Sequence, residues 1–285
     1  MLKIKFAFFL SMFSLFALKM NAQTKVYLWP GAVPGETEAK HEPVLAANQS
    51  GNVIRLTNVT NPAFIVYQPQ PSNNNGASVI ICPGGSYLTL GMNKEGSEIA
   101  EWFNKLGFTA FVLQYRVPEK RYGALQDIQR AMRLIKNDAA KWKINPDKLG
   151  IIGFSAGADL CAKLSTEYDI KTYPKVDAMD DISSRPAFAM IIYPGYLDMG
   201  PGKSLTPELS KMDANTPVSF VFQAADDASG KSSLIYADAL RAAKVSVECH
   251  LVPKGGHGYG MRPGNPAAEA WPKYAEIWLR EYVLK

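Results

Sequence analysis

Residues Gly153-Phe154-Ser155-Ala156-Gly157 set a serine between two glycines in the spacing Gly-x-Ser-x-Gly. A hydroxyl becomes a nucleophile when a turn exposes it and a base removes its proton. The sequence offers three histidines for that task. His41 falls in a Pro/Gly-punctuated stretch before any regular element, and His250 sits within the alternating run Val245–Val252, where a structural role is expected. His257, in Lys254-Gly255-Gly256-His257-Gly258-Tyr259-Gly260, follows that run on a glycine-rich loop and is the base that can reach Ser155. An acid must then orient the imidazole and balance its charge. Asp226 and Asp227 follow the apolar run Val218–Ala224, between serine and histidine in the chain. Only one of the pair can face the histidine, and Asp198 is a weaker candidate. Acyl transfer also needs donors for a developing oxyanion. The turn Cys82-Pro83-Gly84-Gly85-Ser86-Tyr87 can supply the N–H of Gly85, or of Ser86, and the Ala156 N–H a second.

These residues need a frame of strand ends. Val53–Val59 and Ala63–Gln68 read as an antiparallel pair. Ser78–Cys82, Thr109–Tyr115, Leu149–Phe154, Ala187–Tyr193, Val218–Ala224 and Val245–Val252 read as further strands. Between and after them, helical spacing marks Ser97–Leu106, Arg121–Trp142, Ser155–Thr166, Ser232–Ala243 and Ala267–Val283. Strands alternating with helices imply right-handed crossovers and a mostly parallel twisted sheet covered on both faces. Ligands of such sheets bind at the carboxyl ends of the strands. Ser155, His257, the acid pair Asp226–Asp227 and the turn Cys82–Tyr87 each follow a strand.

Residues 1–22 read as a signal peptide: Lys3 and Lys5 precede the apolar run Phe6–Leu18, and Ala22 suits cleavage before Gln23. The run is shorter than the ~20 residues that span a bilayer, so no stable membrane anchor is expected. Export places the product in the periplasm or outside the cell. Loss of Lys3, Lys5 and Lys19 takes the formal charge of the 285-residue chain from +5 to +2. With no basic stripe, nucleic acid is not an expected partner. Cys82, Cys161 and Cys249 form no disulfide or metal pattern and read as buried small hydrophobes. No metal and no cofactor are expected. Residues 23–50 read as an irregular lead-in and 51–285 as one catalytic domain.

Five segments, Ile81–Tyr87, Leu113–Pro118, Asp127–Ala131, Gly153–Gly157 and Pro253–Gly258, occur in that order. Together they resemble the secreted bacterial α/β-hydrolases related to acetylxylan and feruloyl esterases, many of which are labelled endo-1,4-beta-xylanase. The resemblance runs from Trp29-Pro30-Gly31 to the last helix. It implies the α/β-hydrolase fold, a Ser/Asp/His triad, no cofactor, and small acyl esters on acylated oligo- or polysaccharides as substrates. In that family the acid closes a Gly-x-x-Asp or Ala-x-x-Asp run. Ala224-Ala225-Asp226-Asp227 then assigns the role to Asp227, with Asp226 as the alternative. Three positions depart from the pattern: Ala228-Ser229-Gly230-Lys231 after the acid, Ser86 where a third glycine is common, and Ala158 after the serine motif. The first bears on the shape of the loop, and neither Ser86 nor Ala158 removes a backbone N–H.

The expected mechanism is attack by Ser155 on an ester carbonyl, with His257 as base and Asp227 holding the imidazole. Ala156 and Gly85 or Ser86 bind the oxyanion. The longest insertion at the strand ends, Gly195–Thr216, leaves no large cap, and Tyr87, Tyr196 and Tyr259 are candidates for stacking on sugars. A serine peptidase of the same fold would usually carry an N-terminal propeller, for which the 263 residues after Ala22 leave no room. A non-catalytic carbohydrate-binding homologue would not need all three of serine, histidine and acid. A glycosidase needs two carboxylates across a sugar, and no such pair stands out.

Overall fold

The computed structural model describes residues 23–200 and 204–285. The expected signal peptide lies outside the described residues. In chain order the strands are β1 (Thr24–Tyr27), β2 (Val44–Leu45), β3 (Arg55–Thr57), β4 (Ala63–Tyr67), β5 (Ser78–Cys82), β6 (Leu90–Gly91), β7 (Thr109–Gln114), β8 (Leu149–Phe154), β9 (Phe188–Ile192), β10 (Val218–Ala224) and β11 (Val247–Val252). The α-helices are α1 (Glu98–Lys105), α2 (Arg121–Asn137), α3 (Ala139–Trp142), α4 (Ala156–Glu167), α5 (Gly230–Ala242) and α6 (Pro266–Tyr282). Eight strands form the main sheet in the order β1-β4-β7-β5-β8-β9-β10-β11. From β7 to β11 all pairs are parallel, while β4 runs antiparallel to both β7 and β1.

The sequence explains the parallel part. Every residue of β5, β7, β8 and β9 is buried, as strands covered on both faces must be, and the runs are correspondingly apolar without alternation. Helices α1 and α6 contribute Phe103 and Trp271 to an aromatic cluster with Trp102, Phe108 and Phe154, which closes one face of the sheet. Burying such rings contributes on the order of 2–3 kcal/mol each.

Four sequence expectations need correction. The run Val53–Val59 does not pair with Ala63–Tyr67. Its strand β3 joins β2 and β6 in a separate three-stranded antiparallel sheet, and β4 pairs instead with β1 and β7. A short strand's periodicity fixes which face is buried, not which strand lies beside it. The lead-in is not wholly irregular, because Thr24–Tyr27 extends the main sheet by one edge strand. The helix expected over Arg121–Trp142 divides at Asp138, whose φ/ψ of −91°/18° separates α2 from α3. Cys82 and Cys161 are buried but Cys249 is exposed, because it sits on the edge strand β11, where every second residue faces outward.

Candidate active site

Ser155 stands between β8 and α4 with φ/ψ of 53°/−116°. A non-glycine residue rarely adopts positive φ, and the strain is sustained because β8, α4 and the end of β5 pack closely around the turn. A Cβ on Gly153 would lie 2.1 Å from the Gly157 carbonyl oxygen, and one on Gly157 would lie 2.0 Å from that of Cys82. The two glycines therefore let β8, α4 and the end of β5 meet at one point.

Ser155 Oγ lies 2.7 Å from His257 Nε2, and His257 Nδ1 lies 2.6 Å from Asp227 Oδ2. The Asp227 side chain is 3% exposed and that of His257 is 39% exposed, so the acid is shielded beneath an imidazole that solvent and ligand can reach. A carboxylate only accepts, which assigns the Nδ1 proton to the bond with Asp227 and leaves Nε2 free to accept from the serine hydroxyl. Gln223 Nε2 donates to Asp227 Oδ2 at 2.8 Å and the Ser229 N–H donates to Oδ1 at 2.9 Å. The loop that departs from the family pattern, Ala228–Lys231, thus supplies one of the donors that fix the acid.

Asp226 is turned the other way. Its Oδ1 accepts from the N–H groups of Gly255 at 3.0 Å and Gly256 at 2.8 Å, immediately before the histidine. Asp198 makes an Asx turn with Gly200, His41 bonds the Glu42 carbonyl, and His250 pairs with Glu248 while stacking on Tyr274. None of these three is among the hydrogen-bond partners of Ser155 or His257.

The turn after β5 lies against the serine. A Cβ on Gly84 would come within 2.6 Å of the Phe154 carbonyl oxygen and 2.9 Å of Ser155 Cβ. Gly85 has φ 139°, and a Cβ there would meet the Thr89 carbonyl oxygen at 2.1 Å. Ser86 and Tyr87 follow with φ near 58°, and the Tyr115 hydroxyl braces the turn by donating to the Pro83 carbonyl at 2.6 Å. The N–H groups of Gly85, Ser86 and Ala156 have no acceptor among the described residues. Ser155, His257, Gly85 and Ser86 line one cavity of about 160 Å³, whose other walls include Arg55, Lys94 and Glu95.

Two residues that sequence reasoning missed join these loops. Glu95 is buried within a turn of π-helix, Asn93–Ser97, a distortion found often at functional sites. Its Oε2 accepts from the Gly84 N–H at 2.8 Å and its Oε1 from the Tyr193 hydroxyl at 2.8 Å. That hydroxyl in turn accepts from the Gly260 N–H at 3.0 Å, and the Tyr193 ring meets the His257 ring edge-on at 5.3 Å. Burial, with the Glu95 charge adding to it, raises the Tyr193 phenol well above its ordinary pKa and keeps it a donor. Tyr193 follows β9 directly, so its position at a strand end was a usable signal. Glu95 lies in no motif and had none.

The three tyrosines proposed to stack on sugars part company. Tyr87 is buried with its hydroxyl on Asp159, and Tyr259 is buried against Tyr193 at 4.3 Å, so neither ring offers a face to a ligand. Both lie on short loops folded back onto the core. Tyr196 is 40% exposed, with the Arg121 guanidinium 4.2 Å from its ring centroid. Gly195, next to it, donates its N–H to the Ser155 carbonyl.

The BD-FAE family model matches residues 65–192. The acetylxylan esterase of Xylanibacter ruminicola is 28% identical over 224 residues, which are 74% of this chain and 45% of that protein. A crystal structure of an acetyl ester-xyloside bifunctional hydrolase from Caldicellulosiruptor lactoaceticus superposes with a TM-score of 0.73 at 25% identity, covering 90% of this chain and 96% of that one. The chain is an α/β-hydrolase related to the acetylxylan and feruloyl esterases. Endo-1,4-beta-xylanase B of Butyrivibrio fibrisolvens is 32% identical over 206 residues, 63% of this chain and 32% of that protein. This α/β-hydrolase thus spans less than half the length of either curated relative.

Proposed function

We propose that this protein is a serine esterase that removes small acyl groups, acetyl first among them, from plant cell-wall polysaccharides such as xylan. The observation that carries the reading is the continuous hydrogen-bonded line Ser155–His257–Asp227, with a nucleophile-to-base distance of 2.7 Å. In this reading Ser155 Oγ attacks the ester carbonyl as His257 Nε2 takes its proton. The imidazolium is stabilised by Asp227, and the oxyanion accepts from the N–H of Ala156 and of Gly85 or Ser86. One such donor typically contributes about 10²–10³ in rate. His257 then gives the proton to the departing sugar oxygen, which leaves as a hydroxyl, and activates the water that cleaves the acyl-enzyme.

The cavity supports a small acyl group. Its volume of about 160 Å³ is well below the ~300–1,000 Å³ of ordinary ligand pockets. The names of an acetylxylan esterase and an acetyl ester-xyloside hydrolase among its relatives point the same way. Glu95 is the one acid among the lining residues and both its oxygens are engaged, so the lining lacks the carboxylate pair a glycosidase uses. We further propose export through residues 1–22, tested by N-terminal sequencing of the protein recovered outside the cytoplasm, with Gln23 as the expected first residue.

Wild type and Ser155→Ala should be assayed on 4-nitrophenyl acetate and on acetylated xylan. Acetate release by the wild type, lost in the variant, is expected. Equal activity in both proteins overturns the serine mechanism, and release of reducing sugar without acetate favours a glycosidase.

A further inference from the structure

The cavity beside Ser155 carries positive charge that the protein does not use. Lys94 lines it, half-buried, and its stem is pressed against the histidine loop: a Cβ on Gly260 would lie 2.7 Å from Lys94 Cγ and 3.0 Å from its carbonyl oxygen. Its ammonium makes no hydrogen bond or ion pair with any described residue. Burial, with Arg262 and Arg55 nearby, lowers the pKa of Lys94 from its ordinary value despite the opposing pull of Glu95. Arg55, from β3, lines the same cavity. Its Nη1 donates to the Ser50 carbonyl at 2.9 Å and makes longer contacts with those of Asn48 and Val53, while Nη2 and Nε have no acceptor among the described residues.

The acids nearest Lys94 are already committed. Both Glu95 oxygens accept from other donors, and Glu98 is gripped by Arg262 through contacts of 2.6–3.2 Å. A partly desolvated ammonium with no direct ion pair, only the more distant pull of Glu95 and Glu98, costs stability, and a cavity that retains one is suited to an anionic group of the ligand.

We propose that Lys94, with Arg55 beside it, forms an anion-recognising subsite next to the nucleophile, and that the preferred ester carries a carboxylate within its reach. This rests on the esterase reading above. The carboxylate has two possible sources with the same recognition chemistry. It belongs to a uronic acid sugar that bears the acyl group, or to a dicarboxylic acyl group joined through one end.

The test uses matched pairs at low salt: an acetylated methyl glucuronoside against its carboxamide, and 4-nitrophenyl hydrogen succinate against 4-nitrophenyl succinamate. In one pair the wild type is expected to favour the carboxylate by about tenfold or more in kcat/KM, a ratio that Lys94→Met brings close to one and Lys94→Arg preserves. Raising the salt to about 0.5 M should erode the preference. The pair that responds names the source. Binding is measured separately, by titrating Ser155→Ala and Ser155→Ala/Lys94→Met with methyl glucuronoside and with succinate, each against its neutral amide. The proposal is overturned if neither probe shows a carboxylate preference, or if the preference survives Lys94→Met. Carboxylate-selective binding without turnover of any ester by the wild type would instead defeat the esterase reading and leave the subsite standing.

Discussion

Asp226 and Asp227 are consecutive in the chain and hold two different parts of the same loop. Asp227 Oδ2 accepts from His257 Nδ1 at 2.6 Å, while Asp226 Oδ1 accepts from the N–H groups of Gly255 and Gly256. One carboxylate therefore orients the imidazole and the other anchors the backbone that carries it. The division of labour predicts different kinetics. Asp227→Asn presents an amide to Nδ1 and disfavours the tautomer that serves Ser155, so kcat on 4-nitrophenyl acetate should fall by about 10⁴. Asp226→Asn keeps an oxygen acceptor, loses its charge and should lose no more than about tenfold. The reverse ranking would exchange the two assignments.

Glu95 and Tyr193 join the turn after β5 to the histidine loop, and their coupling is measurable. Tyr193→Phe removes the donor to Glu95 Oε1 and the acceptor of the Gly260 N–H. Glu95→Gln places an amide NH₂ opposite one of two donors. Each variant should lower kcat more than it raises KM, since neither residue need touch the bound ester. A double-mutant cycle should give a coupling energy of about 0.5–3 kcal/mol, because the second change finds the link already broken. Additive losses would show that the two act separately.

Gly157 tests the steric origin of the serine turn. A methyl group there would sit 2.0 Å from a backbone oxygen at the end of β5, which no rotamer relieves. Gly157→Ala should destabilise the fold by more than about 3 kcal/mol in urea titration, or prevent accumulation of soluble protein. Gly31→Ala, where nothing lies within 4 Å of the added carbon, should stay within about 0.5 kcal/mol of wild type.

How far the sequence discloses this arrangement depends on whether a residue's role is set locally. Ser155 and His257 could be picked out because each follows a strand, and the carboxyl ends of parallel strands gather at one place. Spacing alone did not separate Asp226 from Asp227, since adjacent residues in a turn share every sequence feature but direction. The Glu95–Tyr193 contact spans 98 residues and leaves no periodic trace. Likewise the pairing of β3 with β6 rather than β4 follows from tertiary packing around the small sheet. Tyr87 and Tyr259 had the right neighbours in sequence and the wrong exposure, which only the folded loops decide.

Arg116 and Asp127 raise a question about stability that lies one step behind the site. Both side chains are at most 2% exposed. Arg116 Nε lies 2.9 Å from Asp127 Oδ2, Trp29 Nε1 donates to Oδ1 at 2.9 Å, and Nη1 and Nη2 reach the carbonyls of Pro34 and Gly123. The pair thus ties the N-terminal segment to α2 and the end of β7. Burial pushes the Asp127 carboxyl above the usual range despite the opposing guanidinium, so desolvation already offsets much of the attraction. Arg116→Met should then cost about 3–5 kcal/mol, because it strands a buried carboxylate rather than merely deleting a bond. Arg116→Lys, lacking the planar fork, should recover only part of this. If desolvation dominates, Arg116→Met/Asp127→Leu will be more stable than Arg116→Met alone, since no unpaired charge remains to be buried. Chemical denaturation of the four proteins at one pH decides the matter. A double variant no more stable than the single one would show that the ion pair itself, with its links to Trp29 and Pro34, holds the N-terminal segment in place.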